Sequence, residues 1–157
     1  MVEYITRRRI TAVEEPCTWQ AVQIKSSAAA DAFVRQFWHS DIDLYESFFV
    51  VIMNQANETI AYAKISQGAV NHTAVDARII CKLVVDNLAS SVILCHNHPS
   101  GNLEPSQSDL LMTRKVATCL ANFDVRVLDH LIITRGSYYS FADNDHGELL
   151  KPNANEK

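Results

Sequence analysis

A chain of 157 residues, 48% hydrophobic and 20% charged, is long enough for one domain whose core needs no disulfide or metal staples. Its net charge of -4 excludes a surface-wide electrostatic grip on nucleic acid and leaves Arg7-Arg8-Arg9 as the one local basic run. No apolar run approaches the roughly 20 residues that span a bilayer, and no apolar segment follows MVEYITRRR as in a secretory leader.

In chain order, residues 1–25 form an amino-terminal extension broken at Glu14-Glu15-Pro16. Ser26-Ser27 supply a helix cap, and Ala30, Phe33, Phe37 and Trp38 recur at helical spacing until His39-Ser40-Asp41. The nearly continuous apolar run 46–53 predicts a strand covered on both faces, and 58–66 alternates as its hairpin partner after Asn54-Gln55-Ala56-Asn57. Residues 75–88 read as a helix and 90–96 as another buried strand. A helix opens at Pro105-Ser106 and runs to about Phe123; strands follow at 125–134 and 137–141. The domain proper is expected over 26–145, with 146–157 as a flexible tail of Asn, Asp and Lys. This order of strands and helices predicts an α/β sheet with helices packed against it. Cysteines at 17, 81, 95 and 119 show no Cys-x-x-Cys spacing, which predicts a reduced, cytoplasmic protein with cysteines in its core.

The chemistry concentrates in HNHPSGNLEPSQSD, residues 96–109. Along an extended strand, alternate side chains share a face, so His96 and His98 point together and Asn97 points away. Their Cα atoms then lie about 6–7 Å apart, close enough for both imidazoles to share one ion. Pro99 and Gly101 turn the chain back, and Asp109 arrives on the first turn of the next helix. Two imidazoles and one carboxylate leave a tetrahedral position for water, the pattern of a catalytic zinc site. Ser106-Gln107-Ser108-Asp109 equally fits a capping box, and the serine can cap while presenting its hydroxyl to a metal. The apolar stripe of that helix is Met112, Val116, Cys119, Leu120 and Phe123. At about 100° per residue, Asp109 falls about 20° from Val116, so the carboxylate heads the buried stripe and needs a cation there.

A hydrolytic site also needs a base, and Glu46, Glu58 and Glu104 are the candidates. Glu104 sits in a loop and Glu58 follows a turn. Glu46 opens the most apolar strand, on the face of Phe48 and Val50, where partial burial would raise its pKa. Cys95 faces away from His96 and reads as core; His39, His72 and His146 stand without companions.

Glu46, His96-Asn97-His98-Pro99, Ser106 and Asp109 together resemble the RadC-like branch of the JAMM/MPN+ metalloprotease superfamily. HNHPSG, the Pro-Ser ahead of the aspartate and LDHLII after the helix mark the branch, and the resemblance covers roughly residues 40–142. It implies a three-layer α/β/α sandwich around a mixed sheet, related to the cytidine deaminase fold. It also implies zinc on His96, His98 and Asp109, Glu46 as general acid/base, and Ser106 stabilising an oxyanion. Relatives often carry Pro-Arg-Glu where this chain has Ala77-Arg78-Ile79, read as a local packing difference. Longer relatives carry an amino-terminal module resembling helix-hairpin-helix units, which this sequence lacks, so an inherited link to DNA repair is weakened. Asp129 and His130 belong to the family pattern but face opposite ways on a strand, so one of them is expected to support the site from behind.

The expected activity is zinc-dependent hydrolysis of peptide or isopeptide bonds in a peptide or protein substrate. The rival is an accessory protein of DNA repair, recombination or a mobile element with a structural or vestigial zinc, for which nucleic acid would be the partner. Base deamination lacks its His-x-Glu and Cys-x-x-Cys residues, and a two-metal nuclease would need more carboxylates. An exposed edge at 58–66 would allow strand pairing into a homodimer.

Overall fold

A computed structural model describes residues 19–38, 41–68 and 75–152. Arg7–Arg9, Cys17, His39, His72, residues 69–74 and the tail from 153 lie outside the described residues. The elements are α1 (Ser27–Val34), β1 (Ser47–Met53), β2 (Thr59–Gln67), α2 (Ala77–Asp86), β3 (Ser91–Asn97), α3 (Gln107–Ala121), β4 (Arg126–Ile133), β5 (Tyr138–Ser140) and a 3-10 turn at Gly147–Leu150. Each predicted strand is present, within two residues of its expected ends.

The sheet runs in the order β2-β1-β3-β4-β5. β3 and β4 are parallel and every other neighbouring pair is antiparallel, so the sheet is mixed. A parallel pair needs a long crossover, which α3 supplies between β3 and β4. The alternation of side chains along each strand divides the core in two. Phe48, Val50 and Ile52 join Val92, Leu94 and Ile132 beneath Ile80 and Val84 of α2 and Val116 and Leu120 of α3. Phe49, Val51 and Met53 join Ile93, Cys95 and Leu131 against Ala30, Phe33 and Val34 of α1. Helices on both faces of a sheet buried on both sides make the three-layer α/β/α sandwich.

The helix boundaries follow their caps. Ser26 accepts from the Ala29 N–H, and Asp76 accepts from the Arg78 N–H. Arg78 also closes onto Asp76 at 2.6 Å, and this bond holds the Asp76 carboxyl down to about 2. The pair is exposed and sits at the start of α2.

Two expectations at the domain's ends change. Residues 22–24 are part of the sheet edge: Gln23 bridges Glu58, the Thr59 N–H donates to the Val22 carbonyl, and Ile24 is buried. This covers the first part of the β2 edge that was expected to lie open. At the other end, the 3-10 turn folds Leu150 into the core beside α3, so the chain packs beyond 145. His146 Nδ1 lies 2.8 Å from the Tyr139 hydroxyl, an ordinary polar contact away from the trio. Among the described residues, no helix is long and apolar enough to cross a membrane, and Cys81, Cys95 and Cys119 are free thiols.

Candidate metal centre

The site forms where β3 ends. His96 is its penultimate residue, fully buried, and His98 follows it into the turn. The Gly101 N–H closes that turn onto the His98 carbonyl, and Gly101 sits at φ +79, a conformation that side-chain-bearing residues disfavour. The returning chain brings the Asn102 carbonyl to 2.7 Å from His98 Nδ1. Ser106 then caps α3: its Oγ accepts the Asp109 N–H while Asp109 Oδ2 accepts the Ser106 N–H. The capping box is therefore real, and it aims Asp109 rather than diverting it. His96 Nε2 lies 2.9 Å from His98 Nε2 and 3.2 Å from Asp109 Oδ1, and His98 Nε2 lies 3.5 Å from Asp109 Oδ2.

Those separations are what a small cation requires. Ligand atoms about 2.0–2.1 Å from a tetrahedral ion lie roughly 3.3 Å from one another. A carbonyl can only accept, so His98 donates from Nδ1 to Asn102, and a neutral ring then turns a bare Nε2 toward His96. Bare imidazole nitrogens this close, beside a carboxylate, repel unless a proton or a metal sits between them. Burial opposes ionisation of Asp109, but the two imidazoles beside it and the bond from the Ser106 hydroxyl hold its carboxyl well below the usual range. Burial likewise opposes charge on His98, yet the bonds to Asp109 and the Asn102 carbonyl, with the charges of Asp109 and Glu46, raise its pKa. Among the described residues, no other trio of His, Cys, Asp or Glu side chains converges in this way.

A cleft of about 600 Å³ opens over the three side chains. Glu46, half-buried just ahead of β1, lines it together with Ser106. Glu58 does not; it bonds Asn54 in the hairpin turn. Glu104 does line the cleft, although its loop position argued against it. The Ser106 hydroxyl donates its one hydrogen to Asp109 Oδ2 at 2.6 Å, so it could serve an oxyanion only with that hydrogen turned away. Cys95 packs in the opposite core, where burial pushes its thiol far up, and takes no part in the site.

Asp129 and His130 separate as their strand positions require. His130 is fully buried against His96, and burial holds its pKa well below the ordinary histidine value. Asp129, across the sheet, accepts from the His130 and Ala142 N–H groups and from the Ser140 hydroxyl. Burial raises its carboxyl against the pull of those bonds. Asp129→Ala leaves three donors without their acceptor and is expected to lower stability by about 2–4 kcal/mol, with Asp129→Asn milder. Urea unfolding measures both; an Ala variant as stable as the wild type would remove Asp129 from the framework.

Two residues in this neighbourhood were given no role by sequence reasoning. Thr113, four residues after Asp109, is fully buried and donates to the Asp109 carbonyl at 2.6 Å. Asn97 is fully buried and bonds the backbone on both sides of Glu46. Both stand in otherwise apolar positions, and a polar residue there is the available clue.

A family model described as a RadC-like JAB domain matches residues 24–147. The chain is similar to a "UPF0758 protein" of Flavobacterium johnsoniae, 48% identical over 99 residues. That match covers 63% of this chain and 43% of the relative, so the chain spans less than half the relative's length. With the matched region enclosing all five strands and all three converging side chains, the chain belongs to the RadC-like JAB domain family.

Proposed function

We propose that the protein is a zinc-dependent hydrolase of amide bonds, either peptide or isopeptide, acting in the cytoplasm on a peptide or protein. The observation that carries this reading is the convergence of His96, His98 and Asp109 at the floor of an open cleft. The donor set is two neutral imidazoles and one carboxylate, which suits zinc and leaves coordination free. When bound there, the ion would supply Lewis acidity, polarising a carbonyl and making water more acidic.

The protein's own groups would do the rest. Glu46 takes a proton from the attacking water and returns it to the departing nitrogen, so the elements of water add across the C–N bond. The Ser106 hydroxyl, once turned from Asp109, donates to the oxygen that gains negative charge. Val75, Leu111 and Met112 give the cleft apolar walls on which a substrate chain can lie.

Elemental analysis of protein purified without added zinc tests the reading, run beside His98→Ala. The expected result is one zinc per chain in the wild type and none in the variant. Cleavage of peptide-linked or isopeptide-linked substrates should stop with a chelator and return with zinc. A zinc-free wild type would overturn the metal centre. Stoichiometric zinc with no amide cleavage would favour the accessory role with a structural ion.

A further inference from the structure

Beneath the three ligands runs a buried chain of hydrogen bonds. The Asp109 carbonyl meets Thr113 Oγ1 at 2.6 Å, Thr113 Oγ1 meets His130 Nδ1 at 2.7 Å, and His130 Nε2 meets His96 Nδ1 at 2.8 Å. Thr113 and His130 are both fully buried, and neither lines the cleft. The chain begins on one ligand residue and ends on another, passing through α3, β4 and β3 in turn.

Its direction is set at one end. A backbone carbonyl only accepts, so the Thr113 hydroxyl spends its single hydrogen on Asp109. The hydroxyl oxygen must then accept from His130, which places a hydrogen on His130 Nδ1. His130 is sealed from solvent and bonds no anion through either nitrogen, so it is held neutral and its Nε2 accepts. His96 therefore donates from Nδ1, and its Nε2 lone pair faces His98 and Asp109. The polarity of the whole run follows from that carbonyl and from the sealing of His130 away from solvent, without reference to any ion. The His130 ring is also gripped from the side, stacked on Phe141 with centroids 4.6 Å apart.

We propose that His130 and Thr113 are positioning residues: they lock His96 in the tautomer that can bind a metal and couple its ring to the helix that carries Asp109. The metal part rests on the reading above; the tautomer does not. Groups that orient metal-binding histidines in this way are worth about 10–100-fold in affinity.

The test uses the full chain with 15N-labelled histidine. In the metal-free protein, imidazole 15N–1H correlation spectra should show His96 and His130 each carrying hydrogen on Nδ1. Thr113→Val keeps the size and removes the hydroxyl; it should release the His96 tautomer and weaken zinc binding about 10–100-fold. Thr113→Ser restores the hydroxyl and should recover both, which separates the chain from general packing. Thermal unfolding of each metal-free variant checks that it is folded. Hydrogen on His96 Nε2 in the metal-free wild type, or undiminished zinc binding by folded Thr113→Val, would overturn the proposal. A wild type that binds no zinc would sink the metal centre instead, and the tautomer spectra would still decide the chain's polarity.

Discussion

Glu46→Gln is expected to keep one zinc per chain and to lose turnover by about 10²–10⁴-fold, the range that general acid–base catalysis contributes. The amide matches the carboxylate in size, so the cleft keeps its shape, but it cannot accept a proton from water. Zinc should stay because Glu46 is outside the converging trio, which β3 and the cap of α3 hold in place. Turnover should fall because Glu46 lines the cleft above the trio, close enough for its charge to act on His98. Metal analysis and kcat on the same preparation measure both halves. If Glu46→Gln retained turnover, the proton shuttle would pass to Glu104, the other unassigned carboxylate of the cleft, and Glu104→Gln would show the loss instead.

Much of the framework was legible because apolar patterning directly reflects burial. The run 46–53 contains no charged residue after Glu46, and β1 is buried along its whole length. The alternating register that separates His96 from Asn97 is a property of any extended strand, so the pairing of His96 with His98 could be read without coordinates. Turn chemistry at Pro99 and Gly101 and the cap at Ser106 were enough to bring Asp109 back. The stripe of α3 was right except at its end: Val116 and Leu120 are buried and Met112 and Cys119 pack against the same core, but Phe123 is about half exposed and Thr113 is buried beside the stripe. A hydroxyl that bonds a carbonyl and an imidazole is as well buried as a methyl group, but hydropathy alone marks it as polar. The last turn failed for a similar reason: Leu149 and Leu150 are two apolar residues in a polar stretch, and only the tertiary fold shows Leu150 a place in the core. Pairing of residues 22–24 with the start of β2 is long-range in the chain, and no local pattern encodes it.

Asn97→Ala is expected to cost about 3–6 kcal/mol of stability and to depress turnover more than zinc binding. The residue lies between the two histidines of the trio in sequence but points through the sheet to the other side. There its Oδ1 accepts the Ser47 N–H at 2.7 Å, and its Nδ2 donates to the Ile42 and Tyr45 carbonyls at 2.5 and 2.8 Å. These bonds bracket Glu46, which stands between Tyr45 and Ser47, so one side chain on β3 fixes the backbone that presents the proposed base. Alanine would leave one N–H and two carbonyls without that partner, each worth about 1–3 kcal/mol when buried and unsatisfied. It would also free the segment that carries Glu46. The histidines should be less affected, because ladder pairing with β1 and β4 holds β3 from both sides. Urea unfolding gives the stability change, and zinc content with kcat separates the loop from the ligands. Asn97→Asp sharpens the comparison: it keeps the acceptor for Ser47 but sets a carboxylate oxygen against two carbonyls, so it should be no better than alanine. Wild-type stability and turnover in both variants would show that the backbone around Glu46 holds its place without Asn97.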